Sequence, residues 1–110
     1  MVFQQVKLII YTPPEPLAAM REALNALGAC GAGRYDMVTS YAPTRGTWRP
    51  LAGAAPYAGA VGEVCQGEEY RLEVRCPAAL AAQAVAAVRA LHPYEEPVID
   101  ILPLLALEDL

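Results

Sequence analysis

The sequence predicts an α+β domain in which a four-stranded antiparallel sheet carries two helices on one face. Three observations predict it. Apolar residues recur at helical spacing over 17–27 and again over 80–91. Residues 69–76 alternate strictly between apolar and charged side chains, and short apolar runs at 6–11 and 98–102 flank the helical segments. The order strand, helix, strand, strand, helix, strand makes two right-handed crossovers, the ferredoxin-like βαββαβ sandwich. The 110 residues suit one domain, 1-110, with no stretch that reads as a linker.

Each element has its own signal. Val6-Lys7-Leu8-Ile9-Ile10-Tyr11 is a β-branched apolar run, so it reads as a strand with one well-buried face. Thr12-Pro13-Pro14-Glu15-Pro16 breaks it and suits a helix start, where backbone N–H groups have no intrahelical partner. Leu17, Met20, Leu24 and Leu27 then share one stripe, and Gly28 is a natural terminator. Gly28 to Gly33 reads as a turn. These glycines follow a helix and precede a strand, the reverse of the order that aims N–H groups at phosphate.

Tyr35, Met37, Thr39 and Tyr41 alternate with Asp36, Val38 and Ser40, which predicts the second strand. From Ala42 to Ala60 no period is visible, and a long aperiodic stretch points to an interface or binding loop. Val61 to Cys65 reads as a short strand or one arm of a hairpin. Tyr70, Leu72, Val74 and Cys76 face one way, and Glu69, Arg71, Glu73 and Arg75 the other. Pro77 opens an Ala-rich helix with Leu80, Ala84, Val88 and Leu91 on its stripe, and Val85 beside them. Pro93 ends it, because the residue before a proline is pushed out of the α region. Val98 to Leu102 reads as the final strand.

Composition narrows the function. Hydrophobic residues make up 55% of the chain and charged ones 18%, so a domain this small has few charges to cover its surface. Part of that apolar area is expected against another subunit. Net charge is −4, with seven Arg and one Lys scattered along the chain, so nucleic acid is not an expected partner. No run approaches the roughly 20 apolar residues that span a bilayer, and the N-terminus shows no secretory signal pattern, so neither a membrane nor export is expected. Cys30, Cys65 and Cys76 have no paired spacing and read as reduced thiols of a cytoplasmic protein.

The single histidine limits catalysis. A Cys–His or Ser–His arrangement must use His92, and a helix of about 15 residues, roughly 22 Å, separates it from Cys76. A closed zinc site needs about four N or S ligands, so metal binding requires His92 from symmetry-related copies. The simpler reading of His92 is a helix-end residue held by its turn. Glu95 and Glu96 are adjacent and bracketed by Pro93 and Pro97, which makes them a fixed polar turn and not an acid–base pair. Arg45, Trp48, Arg49 and Tyr57 lie in the aperiodic segment, and Arg and aromatic side chains carry interfaces disproportionately.

Three motifs together are familiar. They are Gly31-x-Gly33-x-Tyr35-Asp36, the loop Gly46-Thr47-Trp48-Arg49-Pro50-Leu51-x-Gly53-Ala54-x-Pro56 and the turn His92-Pro93-Tyr94-Glu95-Glu96-Pro97-x-x-Asp100. Over nearly its whole length the chain resembles the CutA-like domain inserted in Nif-three-like (YqfO-type) proteins. The resemblance implies the ferredoxin-like fold shared with CutA and nitrogen-regulatory PII proteins, and homo-oligomers. It implies no activity, because the metal ligands of Nif-three-like proteins lie in a different domain. The link of CutA to divalent-metal tolerance implies the alternative of metal binding at His92.

The expected function is a non-enzymatic homo-oligomeric binding or regulatory module, a dimer or trimer, with a small molecule or a protein as further partner. Its expected ligand or interface residues are Arg45, Trp48, Arg49, Tyr57, His92, Tyr94, Glu95 and Glu96. No cofactor and no catalytic residue are expected. The alternative is a divalent-metal-binding protein that uses His92 at a subunit interface.

Overall fold

In the computed structural model, which describes residues 2–110, strand β1 (Gln5–Thr12) is one of the two inner strands of a four-stranded sheet. Its alternate residues Val6, Leu8 and Ile10 are buried, while Lys7, Ile9 and Tyr11 are only partly covered. The remaining strands are β2 (Ser40–Trp48), β3 (Cys65–Pro77) and β4 (Ile99–Leu104), in spatial order β2-β3-β1-β4 with every pairing antiparallel. Helices α1 (Leu17–Ala26) and α2 (Ala81–Leu91) bring Met20, Leu24, Ala84 and Val88 into one core with Leu8, Ile10, Leu72 and Val74. Each of the buried Leu, Ile, Val and Met side chains contributes about 1.5–3 kcal/mol. This is the ferredoxin-like βαββαβ sandwich, with both helices on one face.

The helix ends follow from local chemistry. α1 stops at Gly28, whose φ of +85° is open to glycine without strain. The N–H groups of Gly28 and Ala29 return to the carbonyls of Asn25 and Leu24 at 3.0 Å, which satisfies the last turn. A 3-10 turn, Ala78–Leu80, precedes α2. α2 ends where His92, ahead of Pro93, adopts extended backbone at φ −79°, ψ 127°.

The second strand lies further along the chain than its alternation suggests. Residues 35–39 are not paired as a strand, because Met37 takes a left-handed φ of 52°. Side chains of α1 hold that turn. Asn25 accepts the Met37 N–H at 2.8 Å and donates to Asp36 at 3.0 Å, while the Arg21 Nε donates to Thr39 Oγ1 at 2.9 Å. The strand then runs through Pro43 to Trp48, inside the stretch that looked aperiodic. Pro43 is tolerated there because β2 is an edge strand. Residues 61–64 are not a strand, and β3 instead starts at Cys65, while β4 is shifted to end at Leu104. Leu27, Leu80 and Leu91, on the expected stripes, are only partly buried or exposed, since each lies at the end of its helix or before it.

One consequence of these lengths positions the candidate site. β1 pairs with β3 only over Tyr70–Pro77, whereas β2 pairs with β3 from Cys65 to Glu73. Residues 65–69 and 44–48 therefore form a two-stranded arm that outruns the rest of the sheet, and the molecule measures 48 × 29 × 22 Å. Isolated two-stranded ribbons are marginal in water, so this arm needs other contacts.

Candidate functional site

The arm is steadied by the loop 49–64, which folds back along it. Trp48 Nε1 donates to the Ala58 carbonyl at 3.0 Å, and the Gly62 N–H reaches the Pro50 carbonyl at 2.8 Å. The Trp48 ring covers Gly67, where an added Cβ would meet the indole at 3.1 Å. Gly59 is required by the same packing. Its φ is +97°, and a Cβ there would lie 2.5 Å from Cys65 Sγ and 3.2 Å from Trp48 Nε1.

Opposite the loop stands the turn between α2 and β4. His92, buried at 9% exposure, contributes both ring nitrogens to it. Its Nε2 is 2.7 Å from the Tyr11 carbonyl and its Nδ1 accepts the Tyr94 N–H at 3.2 Å. A carbonyl accepts and a backbone N–H donates, so the ring is the neutral tautomer with its proton on Nε2. No nitrogen lone pair of His92 is left free for a metal in this arrangement. Among the described residues no group of three or more His, Cys, Asp or Glu side chains is placed to hold a metal ion.

The Tyr94 ring packs against the His92 ring at 4.7 Å with a tilt of 54°, and its hydroxyl donates to Glu69 Oε2 at 3.0 Å. Burial, reinforced by that hydrogen bond and by the Glu69 charge, pushes the Tyr94 phenol well above its ordinary range. It is therefore a donor at neutral pH. Glu95 Oε2 accepts the Ala55 N–H at 2.9 Å, and Tyr57 lies 5.6 Å from Tyr94 with its ring tilted by 46°. These contacts bind the turn to the loop.

Arm, loop and turn border a half-open cavity of about 860 Å³. Of the residues expected from sequence, Trp48, Arg49, Tyr57, Tyr94, Glu95 and Glu96 line it together. The other two are elsewhere. Arg45 lies on the arm, 3.5 Å from Glu68, with both side chains 71% exposed, and His92 is a brace behind Tyr94. The cavity also uses Tyr11, Glu15 and Glu69, which sequence reasoning did not select. Glu69 looked like any solvent-facing member of an alternating strand. β1 ends opposite Tyr70, so Glu69 lies where the cavity begins. Bordering the cavity, β3 residues 65–69 have no strand on the side that β1 occupies further along.

Cys30 and Cys76 are buried, and burial pushes both thiols up, for Cys30 with a contribution from Cys76. Neither lines the cavity. No helix among the described residues is long and apolar enough to cross a membrane.

No family model matches the chain. It is 41% identical over 98 residues to a Mycobacterium tuberculosis protein named GTP cyclohydrolase 1 type 2 homolog, covering 89% of this chain and 26% of that protein. The chain thus spans about a quarter of the length of the curated relatives it matches. Among solved structures, a Bacillus cereus protein related to NIF3 superposes with a TM-score of 0.81 and 30% identity, over 94% of this chain and 26% of that one. CutA1 of Shewanella sp. SIB1 shares the fold with a TM-score of 0.72 at 15% identity, over 96% and 86% of the two chains.

Proposed function

That the chain is a CutA-like domain of the Nif-three-like kind is the premise from which we propose a cytoplasmic, non-enzymatic, homo-oligomeric binding or regulatory module. The observation that carries this is the cavity of about 860 Å³ beside an unfinished strand edge. A pocket of this size, with apolar walls and a few convergent polar groups, is of the kind that receives a small ligand. The edge of β3 residues 65–69 that faces away from β2, and the exposed faces of the arm, are what a second copy would cover. The bound ligand then sits at a subunit cleft, between the arm of one copy and its neighbour.

The absence of turnover is part of the proposal. The relatives are named for a cyclohydrolase, and the matched segment is a quarter of them. In this segment the lone His is committed to two backbone groups, and the two buried thiols are held protonated. Three free thiols suit a reducing compartment.

Light scattering on the chain and on Trp48→Ala tests the reading. The expected result is a dimer or trimer for the parent, and dissociation or lost binding for the variant, because Trp48 ties the arm to its loop. A monomeric parent at tens of micromolar would end the proposal.

A further inference from the structure

The cavity has a chemical bias. Its wall is aromatic: Trp48, Tyr57, Tyr94 and Tyr11 line it, and the tilted Tyr57 and Tyr94 rings, 5.6 Å apart, form a wedge. Tyr57 is 55% and Trp48 40% exposed, so ring surface is available to an incoming group. Around these rings stand Glu15, Glu69, Glu95 and Glu96, against Arg49 as the one basic side chain of the lining, while Glu68 at its border pairs with Arg45 on the other face of the arm. Among the described residues the ion pairs are Lys7–Glu73 and Arg45–Glu68, so Glu15, Glu69, Glu95 and Glu96 have no basic partner. Glu69 and Glu95 accept from neutral donors, the Tyr94 hydroxyl and the Ala55 N–H.

The geometry points to an organic cation as the ligand class of this cavity: a quaternary or alkyl ammonium held between aromatic faces and encircling carboxylates. This inference rests on the proposed binding role of the same cavity and names what it binds. Aromatic faces attract a cation through the ring quadrupole, and the attraction grows when the group is withdrawn from water. Carboxylates in a partly enclosed site add to it, since charges interact more strongly there than in bulk water. A phosphate-bearing ligand meets the opposite field. One guanidinium would face four carboxylates without a basic partner, and no helix N-terminus lines the cavity except the start leading into α1 at Glu15, itself acidic. The cavity is too large for a bare ammonium and matches a molecule with an apolar body behind its charge.

The test uses a matched pair of probes, choline and its neutral isostere 3,3-dimethylbutan-1-ol, with ADP as an anionic third. Binding to the full chain is read by calorimetry and by the fluorescence of the single Trp, in low salt. Choline is expected to bind about tenfold or more tightly than the isostere, a ratio within reach of cation–π plus carboxylate contacts. Tyr57→Ala, at an exposed position, should weaken choline by about tenfold, and Glu96→Gln by a few-fold, with the folded mass by light scattering unchanged. Equal affinity for choline and the isostere, no binding of choline, or tighter binding of ADP would each overturn the cation assignment. Those results leave the oligomeric reading standing. A monomeric parent that still binds choline would defeat the oligomeric reading and leave the cation assignment intact.

Discussion

The two halves of β3 differ in what completes them. From Tyr70 to Pro77 the strand lies between β1 and, over part of that length, β2, with Leu72, Val74 and Cys76 sealed under the helices. From Cys65 to Glu69 it has β2 on one side and the cavity on the other. The first half is stabilised by burial within the chain. The second is held by a Trp, two Tyr rings and a few loop hydrogen bonds, and leaves strand edge and aromatic surface available. The sheet thus separates a part sealed within the domain from a part whose edge and aromatic surface stay open.

Substitutions in the two halves should therefore have different consequences, and the largest belongs to the core. Leu8→Ala removes a fully buried side chain and should cost about 2–5 kcal/mol in denaturant unfolding. A loss below about 1 kcal/mol would mean that the helix-covered half is not the main source of stability. Gly59→Ala should cost less, about 1–3 kcal/mol, since it strains a positive φ and drives Cys65 away from Trp48. Its signature is a shifted Trp emission. An unchanged spectrum would show that loop and arm are not packed as described.

Alkaline pH probes both halves together. Cys30, Cys76 and Tyr94 are neutral when protonated, and the folded chain holds each proton more tightly than the unfolded chain does. Their contribution is thus full below the ordinary values of 9.0 for Cys and 10.0 for Tyr, and is lost as pH rises toward the higher folded values. Thermal unfolding should be lowered progressively above pH 9, and Tyr94→Phe should flatten the part above 10. The same variant should cost about 1 kcal/mol at neutral pH through the lost bond to Glu69. Identical alkaline profiles for parent and variant would remove Tyr94 from this role. Smallest of all, Arg45→Ala breaks an exposed pair at 3.5 Å and should change stability by less than about 0.5 kcal/mol.

The same division governs what the sequence reveals. The core half is written in local periods: the stripe Leu17, Met20, Leu24 and the alternation Leu72, Val74, Cys76 point to their buried faces directly. β2 hides its strand because pairing with β3 sets its conformation, and its residues Pro43, Gly46 and Thr47 carry no apolar period. The cavity was legible only where residue chemistry is distinctive. Trp48, Arg49, Tyr57 and the turn at Tyr94 to Glu96 were found by type and context. Tyr11, Glu15 and Glu69 were not, since their role arises from β1 ending several residues before the arm does. Arg45 has the right chemistry and the wrong side of the strand, opposite Glu68 and away from Trp48.

The central claim is that the arm's open edge is finished by another copy of the chain. Amide hydrogen exchange at a series of protein concentrations tests it most directly. The account predicts that amides in 65–69 become slower to exchange as concentration rises, while those of Val6 to Ile10 stay equally protected throughout. Exchange at 65–69 that is the same at every concentration would contradict it.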